Sequence, residues 1–147
     1  VKPLEIDPWV GVGPLRFGMS RSEVRKLFGA YEEFHKTLDS VLTTDDFREP
    51  RMHVYYRKDG VVEVADAVEV MSEANPSFRG HLLGERPLAE VAAIFRQVDS
   101  DFEVDSSGLD VPDLGISVYA PEDCLAEEGA DPRLVQAVYV HSRRNPN

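Results

Sequence analysis

Two stretches of this chain follow one pattern, and a chain that repeats itself has few ways to fold. Residues 18–28 run Gly-Met-Ser-Arg-Ser-Glu-Val-Arg-Lys-Leu-Phe and residues 84–95 run Gly-Glu-Arg-Pro-Leu-Ala-Glu-Val-Ala-Ala-Ile-Phe. Glu23, Val24, Leu27 and Phe28 thus align with Glu90, Val91, Ile94 and Phe95 at an offset of 67. Val54-Tyr55 then recurs as Val118-Tyr119, and residues 67–72 recur as 137–142, in the same order. A period of this kind marks a supersecondary unit that buries its apolar face against a copy. The expected fold class is therefore α+β: two tandem helix-then-antiparallel-strand repeats, residues 10–74 and 76–142, forming one sheet with helices on one face in a single domain of residues 1–147.

Local signals place the elements. Ser20-x-x-Glu23 is a capping box and Gly29 stands where a helix needs a left-handed stop, which predicts a helix over 21–28 with Val24, Leu27 and Phe28 on its buried stripe. Pro87 opens a second helix running to about Val98, with Val91, Ile94 and Phe95 expected in the shared core. Strands are expected at 52–56 and 61–71, joined through Lys58-Asp59-Gly60, then at 102–105, 115–119 and 134–141. Asp66 breaks an even-numbered valine row (Val62, Val64, Val68, Val70) and predicts a bulge there.

Charge narrows the choice of partner. The chain of 147 residues carries a net charge of −11, and between Asp99 and Asp131 there are 11 carboxylates with no Lys or Arg. That stretch lacks the cations that phosphate contacts need, so nucleic acid is not expected. It suits a basic protein, whose encounter an opposite field would accelerate, and equally it suits a solvated face that keeps the chain soluble. The acidic patch comprises Asp99, Asp101, Glu103, Asp105, Glu122, Asp123, Glu127 and Glu128, and the alternation at 99–105 reads as the solvent side of a strand. No apolar run approaches a membrane span, and Val1-Lys2-Pro3 lacks a signal peptide's apolar stretch, so no membrane association is expected. With Cys124 alone, no internal disulfide forms, which fits a reducing, cytoplasmic setting.

The order of elements resembles the β-lactamase inhibitor protein architecture, in which two helix-plus-strand units form one sheet with helices on one side and an open face on the other. The run Gly18-Met19-Ser20-x-x-Glu23-Val24-x-x-Leu27-x-Gly29 also resembles the opening of the small outer-membrane assembly lipoproteins. The likeness is one of architecture and implies an open sheet face. Neither family's activity is carried over, since the inhibitor's two disulfides and the lipoproteins' anchoring cysteine have no counterpart in this sequence.

Catalytic patterns are sparse. His35, His53, His81 and His141 form no zinc spacing, there is no Gly-x-Ser-x-Gly elbow, and Val104 stands where a calcium loop beginning at Asp99 would need glycine. No catalytic residue, metal or cofactor is assigned, and the chain is read as non-enzymatic. Strand parity is more informative: if Val54, Val68, Val70, Val118, Val138 and Val140 face the helices, then His53, Tyr55, Arg57, Glu69, Ser117, Tyr119, Tyr139 and His141 share the open face. Tyrosines there offer rigid area with a polar tip for a partner, although they also stabilise sheets through cross-strand pairs. The expected function is a protein-binding module, an inhibitor or immunity protein for a basic partner, acting as a monomer or weak homodimer. Two alternatives stay open: a small enzyme or ligand-binding protein using a cleft between the repeats, and a self-associating accessory subunit.

Overall fold

The computed structural model describes residues 2–122 and 133–144. In chain order the elements are β1 (Leu4–Asp7), β2 (Gly11–Val12), β3 (Leu15–Arg16), α1 (Arg21–Phe28), β4 (Tyr31–Phe34), β5 (Thr44–Arg48), β6 (Arg51–Asp59) and β7 (Val62–Met71). They continue with β8 (Pro76–Phe78), β9 (His81–Leu82), α2 (Leu88–Gln97), β10 (Glu103–Val104), β11 (Gly108–Val111), β12 (Ile116–Tyr119) and β13 (Ala137–His141). An eight-stranded antiparallel sheet runs β10-β11-β12-β13-β7-β6-β5-β4, and a five-stranded sheet runs β3-β2-β1-β8-β9.

This overturns the expected tandem α+β repeats on a single sheet. Of the described residues, 44% lie in strands and 18% in helical turns, so the chain is mostly β with two helices. The second sheet is the topological reason: β1 pairs in parallel with β8, so the N-terminal segment joins strands that follow the long hairpin. The similar segments are not equivalent copies. β6 and β7 are 9 and 10 residues long, whereas β12 and β13 are 4 and 5. On α1 Leu27 is 45% exposed, while its counterpart on α2, Ile94, is 5% exposed. The recurring segments 67–72 and 137–142 supply β7 and β13, which pair with each other at the sheet centre (Val68↔Val140, Val70↔Val138). The two segments look alike because each sends valines (Val68 and Val70, Val138 and Val140) to the core and alternates them with residues of the other face.

One core unites the layers. Val54, Val68, Val70, Val118, Val138 and Val140 of the large sheet pack with Val24 of α1, Val91 and Phe95 of α2, and Ile6, Leu15 and Phe78 around the small sheet. Each buried side chain of this size contributes roughly 1.5–3 kcal/mol relative to exposure. Phe78 stacks on Phe95 with centroids 5.4 Å apart, tying the small sheet to α2. The α1 bounds and capping box agree with expectation: Ser20 Oγ accepts from the Glu23 amide at 3.2 Å, and the Ser20 amide donates back to Glu23 Oε1 at 3.4 Å. Leu27 does not join the core. The inward side of α1 is shared by Val24 and the guanidinium groups of Arg21 and Arg25, which stand four residues apart and so reach the same point.

Those arginines enclose Asp45, whose side chain is fully buried. Arg21 Nη2 donates to Asp45 Oδ1 at 2.8 Å, Arg25 donates through Nε and Nη2 at 2.9 Å each, and the Tyr56 hydroxyl donates at 2.8 Å. Burial opposes ionisation of Asp45, but these hydrogen bonds outweigh it and hold the carboxyl below the ordinary range. Burial and the bond to Asp45 push the Tyr56 hydroxyl up. Arg21 also donates to Thr43 Oγ1 at 2.7 Å, which fixes the connection between β4 and β5 at its C-terminal end.

The bulge falls at Asp66 as expected: Tyr55 opposes Ala67 while Tyr56 opposes Ala65, leaving Asp66 as the extra residue. There Asp66 accepts from Arg57 Nε at 3.0 Å and from Ser142 Oγ at 2.6 Å. Other strand expectations change: β4, β5 and β11 of the large sheet and all five strands of the small sheet were not expected, β13 begins at Ala137 with Leu134 only bridging to Pro87, and β10 is two residues long. The alternation at 99–105 is therefore not a strand face. Asp99 adopts φ 54° after α2, Asp101 lies outside any strand, and Asp105 makes a turn, accepting from the Ser107 amide at 2.8 Å. The turn bonds hold the Asp105 carboxyl below its usual range.

Candidate functional site

The large sheet has its helices on the valine face, and the register determines what stands on the other. Seven residues form one row across seven strands: Asp110↔Ser117↔Tyr139↔Glu69↔His53↔Asp46↔Glu32. With neighbouring strands about 4.8 Å apart, the row spans about 29 Å. Four of its seven members are carboxylates, and hydroxyl, phenol and imidazole groups make up the rest.

The two ends of the row differ electrostatically. Toward β4 the carboxylates already have partners: Arg48 Nη2 lies 3.0 Å from Glu32 and 3.8 Å from Asp46, and His53 lies 3.3 Å from Asp46 and 3.4 Å from Glu69. The Phe34 ring stands edge-on to His53 at 4.9 Å. Toward β11 the face opens into a cleft of about 620 Å³ whose lining includes Glu69, Asp105, Asp110, Tyr119, Tyr139 and His141 and, among the described residues, no Lys or Arg. Ser117 donates to Asp110 at 2.6 Å within it.

An aromatic series crosses the acidic row diagonally. Tyr55 meets Tyr139 at 5.9 Å, Tyr139 meets His141 at 6.0 Å, and His141 meets Trp9 at 5.5 Å. Trp9 is fixed by its indole N–H, which donates to the Asp113 carbonyl at 3.0 Å. Burial, and then Glu69, push the Tyr55 hydroxyl up, so that phenol stays neutral across the physiological range. The 35–43 connection folds over this part of the face and bounds a second cleft of about 280 Å³ with Lys36, Tyr55, Arg57, Asp66 and Tyr139 in its walls.

All eight residues expected on the open face, His53, Tyr55, Arg57, Glu69, Ser117, Tyr119, Tyr139 and His141, have their places there, with Arg57 turned to Asp66 by the bulge. The acidic patch is only partly drawn into it. Asp105 lines the larger cleft, Asp99, Asp101 and Glu103 are exposed outside it, and Glu122 lies 3.7 Å from Arg133. Asp123, Cys124, Glu127 and Glu128 lie outside the described residues. Sequence reasoning missed Trp9, Glu32, Phe34, Lys36, Asp46 and Asp110. Of these, Asp110 was findable, because it stands opposite Ser117 once β11 is recognised as a strand. Among the described residues no group of three or more His, Cys, Asp and Glu is placed to hold a metal ion, and no helix is long and apolar enough to cross a membrane. No protein-family model, no curated protein and no solved structure matches the chain.

Proposed function

We propose that this chain is a non-enzymatic protein-binding module, of the inhibitor or immunity-protein kind, whose open sheet face takes a basic segment of a protein partner. The observation that carries the reading is the β11 end of the transverse row. There Glu69, Asp105 and Asp110 line a cleft with Tyr119, Tyr139 and His141 and, among the described residues, without a lysine or arginine in its lining, whereas the β4 end has Arg48 beside Glu32 and Asp46. A lysine or arginine side chain entering the cleft meets counter-charges and aromatic surface together, the combination that dominates many protein interfaces. A polyphosphate would meet like charge at the same place.

The test is capture from the native cell with the wild-type chain and with the double variant Glu69→Gln/Asp110→Asn, which keeps shape and removes charge. Basic proteins retained by the wild type and lost by the variant are the expected result. A captured set indifferent to both substitutions would refute the reading.

A further inference from the structure

We propose that the Tyr55–Tyr139 pair is a seat for a partner's lysine side chain and that Lys36 occupies this seat in the free protein. The inference rests on the open face being the docking surface for a basic segment, and it adds which chemical group is read and what must leave first. Lys36 Nζ lies 4.7 Å from the Tyr55 ring centroid and 5.6 Å from that of Tyr139, within the range of cation–aromatic attraction to both rings. The two ring faces receive this ammonium together. The protein's own lysine thus displays the ligand chemistry that the pair accepts.

The segment carrying Lys36 is built to be displaced. Its turn is closed internally: the Thr37 amide donates to Ser40 Oγ at 2.9 Å and the Ser40 amide donates to the Thr37 carbonyl at 3.2 Å. Leu38 is fully exposed and Val41 is 89% exposed, so the tip takes little stability from the sheet. Its root is held separately, where Thr43 accepts from Arg21 and donates to Glu33. Moving Lys36 aside therefore leaves the anchoring network intact. Tyr139 also lines the acidic cleft, so a segment with two basic residues places one beside Glu69 and Asp110 and the other on the rings that Lys36 vacates. Exchanging one ammonium for another on the same rings is close to neutral, so the net charge of the cleft decides the outcome in favour of the partner.

Blocked tetralysine is the probe and blocked tetraglutamate the control, titrated by calorimetry and by NMR of the lysine ε-methylene groups. Lys36→Met is compared with Lys26→Met, which makes the same charge change on the exposed side of α1. Lys36→Met should bind tetralysine roughly two- to fivefold more tightly than Lys26→Met, the scale of an exposed cation–aromatic contact. In the wild type the Lys36 ε-methylene resonance should move downfield out of the ring current as the probe saturates. Equal affinities of the two lysine variants, with an unmoved Lys36 resonance, would overturn the seat. If Glu69→Gln/Asp110→Asn still weakened binding in that case, the docking face would stand without it. Absence of tetralysine binding to the wild type and both lysine variants would overturn both.

Discussion

Replacing Asp45 by Asn removes one charge and almost no volume, and the structure sets the size of the effect. Asp45 Oδ1 accepts from Arg21 and Arg25, and Oδ2 accepts from Arg25 Nε and the Tyr56 hydroxyl, with all four distances between 2.8 and 2.9 Å. An amide retains one acceptor and turns a donor toward the rest, leaving two guanidinium groups against a neutral, fully buried side chain. Breaking a buried ion pair from one side costs about 3–5 kcal/mol. Against a total stability of roughly 5–15 kcal/mol this is a large share, and at about 2–4 °C per kcal/mol for a chain of this size it lowers Tm by about 6–20 °C. The pH dependence has a defined sign. Because the folded-state pKa of Asp45 is depressed, its contribution is complete above the unfolded value of about 3.9 and is lost as pH falls through the folded value. Thermal unfolding of wild type and Asp45→Asn followed by circular dichroism should therefore show the full gap at pH 7 and a narrower one below about pH 4. Replacing Arg25 by Met in the Asn background should recover part of the loss, since one guanidinium fewer then faces the amide. A gap under about 3 °C at pH 7, or one that is the same at pH 7 and pH 3, would refute the account of α1 as seated by charge.

Other substitutions test other layers. Phe95→Ala should cost about 3–5 kcal/mol in chemical denaturation, because the ring is fully buried, whereas Leu27→Ala on the exposed side of α1 should change stability by less than about 0.5 kcal/mol. Gly108→Ala should destabilise by more than about 2 kcal/mol, because its Cβ would stand 1.9 Å from the Val118 carbonyl at φ 152°; an unchanged denaturation midpoint would contradict the β11–β12 pairing. Once a basic partner is in hand, Glu69→Gln/Asp110→Asn should slow association and flatten its salt dependence, while Tyr119→Ala should mainly speed dissociation, both read by stopped-flow kinetics. Association indifferent to salt and to both amides would leave the cleft without an electrostatic role.

Local grammar was legible in the linear chain because its causes are local. The capping box at Ser20 and Glu23 satisfies backbone donors within one helical turn, and Asp66 within a valine row announces a bulge, so both elements were readable from a few neighbours. Strand parity likewise placed His53, Tyr55, Glu69, Ser117, Tyr119, Tyr139 and His141 on one face, since side-chain alternation has period two wherever a strand goes. The apparent duplication misled because composition reports burial rather than ancestry: β7 and β13 look alike as adjacent central strands, and the two Glu-Val-x-x-x-Phe runs look alike as amphipathic helices that nonetheless seat differently.

What only the tertiary structure decided are the long-range choices. The β1–β8 pairing that creates the second sheet joins Leu4 to Pro76, and two-residue strands such as β2, β3 and β9 are too short to show a period. The network around Asp45 joins residues 11 to 24 positions away from it, and nothing near Asp45 in sequence announces a buried and a half-buried arginine. The candidate site is of the same kind. Each member of the acidic row is one unremarkable polar residue on its own strand, and Lys36 reaches the tyrosines only through a loop that folds over the sheet. The amino-acid sequence determined which residues could share a face, because side-chain direction is a property of a few consecutive peptide units. Strand order and register determined which of them became neighbours, because those depend on how the whole chain pays the entropy of closing its loops against the burial of one common core.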